Sequence, residues 1–109
     1  MTERRYNPRI PLEDMLYMHI VVSGKRKLSV VLLDISVSGA RLGLPPDEAL
    51  PSVGSELIFT DVLAPASFLE KRTATVVWGV GVQCGVRFNK HLEASLESIA
   101  ELLRSEIFY

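Results

Sequence analysis

Apolar side chains recur at every second position in several short stretches of this 109-residue chain. One face of the extended segment 16–23, for example, carries Leu16, Met18, Ile20 and Val22. This alternation predicts β-strands over 16–23, 27–35, 40–44, 56–62, 71–80 and 82–88. Turn residues separate the strands, and no helical period lies between them to make a parallel crossover. The pattern therefore predicts an antiparallel barrel or sandwich.

The hydrophobic period changes near the C-terminus. Four apolar residues recur there at helical spacing, namely Leu92, Leu96, Ile99 and Leu103. Glutamates occupy another face of the same segment. This spacing predicts a helix over about 90–105, for which Asn89 is a suitable N-cap. We expect the leucine face to pack on the sheet or on a partner, and it could support a homodimer.

The chain length favours one domain, because two domains of about 55 residues would each have a marginal core. The composition is globular, with 48% apolar and 23% charged residues. Residues 1–14 contain Pro8 and Pro11 and show no periodicity. They predict a flexible arginine-containing N-terminal arm, followed by a barrel and helix over 15–109.

Several features indicate a cytoplasmic protein. Val30–Leu33 is the longest aliphatic run, far short of the ~20 residues that cross a bilayer, so we expect no membrane insertion. Residues 1–5 are not followed by the apolar region of a secretory signal. The single cysteine, Cys84, cannot form an internal disulfide and is expected to be a small buried residue of a strand.

The catalytic patterns that we considered are not met by this sequence. The segment before Ser38 lacks the glycine of a nucleophile elbow. His19 and His91 lie in dissimilar contexts, and a lone histidine such as His19 is typically half-exposed on a strand. Metal-ligand spacings and glycine-rich phosphate loops do not occur. We therefore predict no enzyme, no metal and no cofactor.

The charge distribution favours a small anion as ligand. The net charge of −1 argues against binding to DNA, which usually needs a basic surplus. Residues 1–10 nevertheless hold Arg4, Arg5 and Arg9 against Glu3 alone. In a bent, non-helical arm these guanidinium groups could converge on a phosphate or on the O6/N7 edge of guanine. The alternative is an ordinary solvated basic terminus.

A second polar segment connects two predicted strands. Asp34 and Ser36 can project to the same side of an extended chain. A carboxylate only accepts hydrogen bonds, so it matches the edge of guanine that carries two donors, N1–H and N2–H₂. The serine hydroxyl can add one further hydrogen bond. Gly39 allows a positive φ or a close approach of the ligand. The alternative is a tight turn held by its own side-chain bonds.

Together, these segments resemble the PilZ domain, a bacterial receptor for cyclic di-GMP. Arg5-x-x-x-Arg9 matches the first family motif, with Arg4 as a frequent additional arginine, and Asp34-x-Ser36-x-x-Gly39 matches the second. Gly85-Val86-Arg87-Phe88 is similar to the closing strand of the family, and the likeness covers the whole chain. The resemblance implies an all-β fold with a C-terminal helix: a six-stranded antiparallel β-barrel.

The resemblance also implies roles for the arm. Arg5 and Arg9 would contact phosphate and the guanine O6/N7 edge, while Arg4 adds charge or stacks on a base. Ligand binding would fold the arm over the barrel and alter a surface that an unidentified downstream protein reads. Family members act on motility, on exopolysaccharide and biofilm formation, or on virulence. This sequence does not indicate which of these outputs applies.

The turn has implied roles as well. Asp34 and Ser36 would read the guanine donor edge, and Gly39 would shape the turn. The alternative function is a PilZ-fold interaction module that binds no nucleotide and acts through its helix or an apolar face.

Overall fold

The structure is a computed structural model and describes residues 10–63 and 66–107. Six antiparallel strands close into a barrel in the order β1-β2-β3-β6-β5-β4. They are β1 Ile10–Val22, β2 Arg26–Ile35, β3 Gly39–Gly43, β4 Glu56–Thr60, β5 Thr73–Val80 and β6 Gln83–Phe88. A short 3-10 helix, Ser67–Leu69, precedes β5, and helix α1, Leu96–Ile107, follows β6. The predicted barrel with a C-terminal helix is confirmed.

Strand β1 begins earlier than its alternation suggested. Ile10 pairs with Ile35 and Pro11 with Asp34, so the arm boundary predicted at residue 14 falls inside this strand. The register of β1 shifts before Leu16, and such a bulge breaks the two-residue period on which the prediction depended. Proline, which lacks an amide hydrogen, is compatible with a strand at such an irregularity. Residues 1–9 of the predicted arm lie outside the described residues.

The barrel encloses one apolar core. The inward-facing side chains come from all six strands, and many of them have no exposed surface, among them Ile20, Ile35, Leu42 and Phe59. Phe59 and Phe88 meet edge to face, with ring centroids 6.2 Å apart and an interplanar angle of 63°. Such aromatic pairs contribute about 0.5–1.5 kcal/mol beyond the area they bury. This core holds the strand ends of the barrel in fixed positions.

Helix α1 begins later than predicted, and Asn89 is not its cap. The amide of Asn89 donates to the carbonyl of Thr73, which ties this residue to β5. Ser95 caps the helix instead, because its hydroxyl accepts the Ser98 N–H at 3.1 Å. Tertiary hydrogen bonds thus hold residues 89–92 outside the helix. Within the described part of the chain, no helix has the length and apolar character to cross a membrane.

The apolar stripe near the C-terminus is buried within the chain itself. Leu92, Ile99 and Leu103 join the core that the barrel encloses, with exposed fractions of 8%, 1% and 3%. Leu92 belongs to this stripe although it precedes the helix. The described part of the leucine face therefore packs on the barrel, one of the two outcomes expected from sequence.

Cys84 should be unreactive in the folded protein. It has no exposed surface, and burial raises the pKa of its thiol from 9.0 to about 11. We expect a thiol-reactive disulfide reagent at pH 8 to modify it only after unfolding in guanidinium. Because the unfolded chain ionises first, the free energy of unfolding should also fall as pH rises from about 9 to about 11. Rapid labelling of the native protein would contradict this burial.

Candidate functional site

A β-bulge in β2 decides where Asp34 lies. Before the bulge, Leu32 pairs with Leu42, and both are buried in the core. The next pair is Asp34 with Arg41, so Leu33 is an additional residue on β2. One additional residue moves the following side chains to the other face of the sheet. Asp34 therefore leaves the sequence of core positions and lies beside Arg41 on the outside of the barrel.

The Asp34 carboxylate is bonded to Arg41 on β3, and Arg41 is bonded in turn to Gln83 on β6. Its Oδ2 accepts a hydrogen bond from Arg41 Nε on β3 at 3.0 Å. Arg41 Nη1 in turn donates to Gln83 Oε1 on β6 at 3.2 Å. The Asp34 side chain is only 10% exposed, so the carboxylate is largely covered, whereas the Arg41 side chain is 40% exposed and reaches the protein surface. The site thus holds the Asp34 carboxylate against the Arg41 guanidinium.

Ser36 organises the turn between β2 and β3. Its hydroxyl accepts the N–H of Gly39 at 3.2 Å and that of Ser38 at 3.3 Å. Its own N–H donates to the Gly39 carbonyl at 2.8 Å. Ser36 has no exposed surface, so the direct contact with guanine expected from sequence would need this turn to open. The side-chain-bonded turn, the alternative from sequence, is what the structure contains.

Gly39 is needed for close packing between β3 and β6. Its φ lies outside the positive range, so a left-handed turn does not explain its presence. A Cβ at this position would overlap the Val86 carbonyl oxygen and lie 3.3 Å from the Cα of Arg87. The Phe88 N–H also donates to the Ser38 carbonyl at 2.8 Å, which anchors the turn to the end of β6. The glycine therefore shapes the turn by allowing two backbones to approach.

Replacing Ser36 by alanine should destabilise the fold. The change leaves the buried N–H of Gly39 without its side-chain acceptor, and an unsatisfied buried donor costs about 1–3 kcal/mol. Urea denaturation should show this loss, whereas Ser52→Ala, at an exposed position, should leave the midpoint within experimental scatter. Equal midpoints for Ser36→Ala and the parent would contradict the structural role of this hydroxyl.

The arginine motif itself lies outside the described residues, but β1 shows where it joins the barrel. Arg4, Arg5 and Arg9 precede β1, and Arg9 directly precedes Ile10. Ile10 is paired with Ile35, next to Asp34 in β2. The chain therefore enters the barrel at the end that carries Asp34.

The site contains two residues that the sequence analysis did not single out, Arg41 and Gln83. Arg41 alternates with the buried residues Ala40 and Leu42, so its outward position was readable from sequence. Its pairing with Asp34 was not, because the pairing depends on the bulge at Leu33. Gln83 comes from a distant part of the chain and carries no local signal.

His19 belongs to an exposed charge cluster elsewhere on the barrel. Its Nδ1 lies 3.0 Å from Asp61 Oδ2, and Lys27 Nζ lies 2.9 Å from the same oxygen. The hydrogen bond from Lys27 holds the pKa of the Asp61 carboxyl below its usual value. All three side chains are at least 40% exposed. His19 is thus a half-exposed strand residue, as expected.

The closed six-stranded barrel with its C-terminal helix defines the class of fold, a small antiparallel β-barrel domain. The family model for the PilZ domain matches residues 3–105, nearly the whole chain. The chain belongs to the PilZ family, a family of cyclic di-GMP-binding modules, and PilZ domains are binding and adaptor domains that are generally non-enzymatic. A comparison with curated proteins finds no match.

Proposed function

We propose that this protein is a receptor for cyclic di-GMP that uses both PilZ motifs. The observation that supports this best is the bulge at Leu33, which turns Asp34 out of the barrel beside the start of β1. Without that bulge, the carboxylate would follow Leu32 into the core. A carboxylate among the apolar core side chains would lose its pairing with Arg41 and would be costly.

The arginine motif can reach the same ligand by chain length alone. Ile10 and Ile35 are neighbours across a strand pair, about 5 Å apart. Arg9 directly precedes Ile10, and Arg5 lies four residues before Arg9, at most ~15 Å from it. A guanidinium group adds several ångströms of side chain. Arg5 and Arg9 can therefore contact a ligand that also contacts Asp34.

The two halves of the site provide complementary chemistry. Cyclic di-GMP carries two phosphates, for which Arg4, Arg5 and Arg9 offer permanent charge and forked donors. Its guanine bases present N1–H and N2–H₂ donors, which match the acceptor oxygens of Asp34. We assign to the arginines the phosphates and the O6/N7 edge, and to Asp34 the donor edge.

Ser36 and Gly39 help to position the Asp34 carboxylate, which we assign to the guanine donor edge. The bonds from the Ser36 hydroxyl and the close approach at Gly39 fix the turn that follows Asp34. In this proposal Ser36 contributes mainly through the turn, and it contacts guanine only if the turn opens on binding. A fixed turn reduces the ordering cost that binding must offset.

The arm provides the output of the receptor. Like charges on Arg4, Arg5 and Arg9 disfavour a collapsed arm, and the ligand's negative charge removes that repulsion. Ordering costs about 1–2 kcal/mol per residue, so several contacts are needed to fold the arm. The folded arm then alters the surface that a downstream protein reads.

A PilZ-fold interaction module without a nucleotide is the second candidate. Large exposed apolar side chains favour it, including Leu63 at 76%, Val80 at 71% and Tyr17 at 60% exposure. Such a module would use apolar surface and would have no need for an outward carboxylate or for a charged arm.

Calorimetric titration of the full chain separates the two candidates. The receptor should bind cyclic di-GMP with an affinity that falls as salt rises, and should bind GTP and cyclic di-AMP more weakly. Asp34→Ala should reduce the preference for guanine more than it reduces phosphate-driven affinity. Absence of heat and of thermal stabilisation with cyclic di-GMP would rule out the receptor and favour the interaction module.

A further inference from the structure

We propose that Arg41 is a positioning residue that sets the guanine selectivity of the site, an inference that rests on the proposed function. Arg41 and Asp34 are direct partners across β3 and β2 on the outer face of the barrel. Arg41 Nε donates to Asp34 Oδ2 at 3.0 Å, which is the usual length of a charge-assisted hydrogen bond. Arg41 thus acts on the ligand through Asp34.

The Arg41 guanidinium is anchored at a second point. Its Nη1 donates to Gln83 Oε1 at 3.2 Å, so the planar group is held between β2 and β6. Two bonds on one rigid fork fix the plane of the guanidinium more tightly than one bond would. The bond from Arg41 Nε then fixes the orientation of the Asp34 carboxylate. A lysine at position 41 would keep the charge and lose the fork.

Orientation of the carboxylate matters for telling guanine from adenine. Guanine offers two adjacent donors, N1–H and N2–H₂, whereas adenine offers a donor at N6 and an acceptor at N1. A carboxylate held in one plane gains two bonds with guanine and meets an acceptor with adenine. A carboxylate that lacks the Arg41 bond is held less tightly, so it turns away from the adenine acceptor more easily and loses more freedom when it pairs with guanine. Arg41 should therefore affect selectivity more than total affinity.

A double-mutant cycle tests this role. Cyclic di-GMP and cyclic di-AMP are titrated into the parent, Arg41→Gln, Asp34→Ala and the double variant. Arg41→Gln should lower the ratio of the two affinities roughly tenfold, the effect of one misplaced charged hydrogen bond. In the Asp34→Ala background, the same change should leave that ratio unaltered. Lys25→Gln, which removes one positive charge in the exposed turn between β1 and β2, should leave the ratio at its parent value.

A ligand-free measurement separates this inference from the proposed function. In the NMR spectrum of the free protein, the Arg41 Nε–H signal should shift in both Asp34→Asn and Gln83→Ala, with thermal unfolding midpoints near that of the parent. If the Arg41 Nε–H signal stays in place in one of these variants, or in both, the positioning role is overturned, even if the parent binds cyclic di-GMP. A selectivity loss that persists in the Asp34→Ala background also overturns it, because Arg41 would then contact the ligand directly. If the parent binds no cyclic di-GMP while the signal shifts, the proposed function fails and the selectivity role fails with it, although the anchored geometry stands.

Discussion

Arg5→Ala and Arg9→Ala should each weaken binding of cyclic di-GMP about 10- to 150-fold. Each change removes charge-assisted hydrogen bonds to phosphate or to the guanine O6/N7 edge, worth about 1.5–3 kcal/mol. Both arginines belong to the segment that precedes Ile10, whose partner Ile35 lies next to Asp34. Thermal unfolding of the ligand-free variants is measured alongside, and a midpoint equal to that of the parent shows that the loss is one of binding.

The controls distinguish specific contacts from general charge. Lys25→Gln removes the same charge from an exposed turn and should change the affinity less than about twofold at 0.15 M salt, where the Debye length is about 8 Å. Arg9→Lys keeps the charge and should recover only part of the loss, because a lysine lacks the forked donors. Parent-like affinity in both alanine variants would remove the arm from the binding site.

Gly39→Ala should destabilise the fold by about 3 kcal/mol or more. The added Cβ would overlap the Val86 carbonyl oxygen, which is backbone of a paired strand and has no rotamer by which to move away. Overpacking against rigid neighbours typically costs about 1–3 kcal/mol and more where the backbone must shift. We expect a lowered urea midpoint and a weakened turn between β2 and β3.

Gly43→Ala is the matched control for this prediction, because it lies on the same strand. A Cβ there would meet Leu33 Cδ1 at 3.5 Å, an ordinary van der Waals contact with a flexible side chain. Its free energy of unfolding, measured by urea denaturation, should stay within about 0.5 kcal/mol of that of the parent. Equal destabilisation by the two changes would show that the close approach at Gly39 is not the reason for a glycine there.

Much of the barrel was predictable because strand alternation is a local signal. All six predicted strands are present, and three antiparallel pairs, β1–β2, β2–β3 and β5–β6, follow from short connections. The pairs β1–β4 and β3–β6, which close the barrel, join strands that are distant in the chain. The errors lie where tertiary contacts override local patterns. The bulge before Leu16 hid the first part of β1, and the hydrogen bond between the Leu92 N–H and the Val37 carbonyl keeps residues before Ser95 out of the helix.

The candidate site was predictable in its residues and less so in its geometry. The spacing of Asp34, Ser36 and Gly39 marked the turn, and the structure shows what each contributes to it. The outward position of Asp34 depends on a bulge that nothing in the local sequence specifies. Gln83, which accepts from Arg41, is 42 residues away from it in the chain, so only the closed barrel brings these two residues together.

An NMR titration with cyclic di-GMP tests most directly whether the arm and the turn close on one ligand. If both motifs form one site, the backbone amide signals of residues 4–7 and 9 and those of residues 34–39 shift together and saturate at the same ligand concentration. Pro8 has no amide signal to follow. Shifts confined to one of the two segments, or saturation at different concentrations, would contradict a single site built from both motifs.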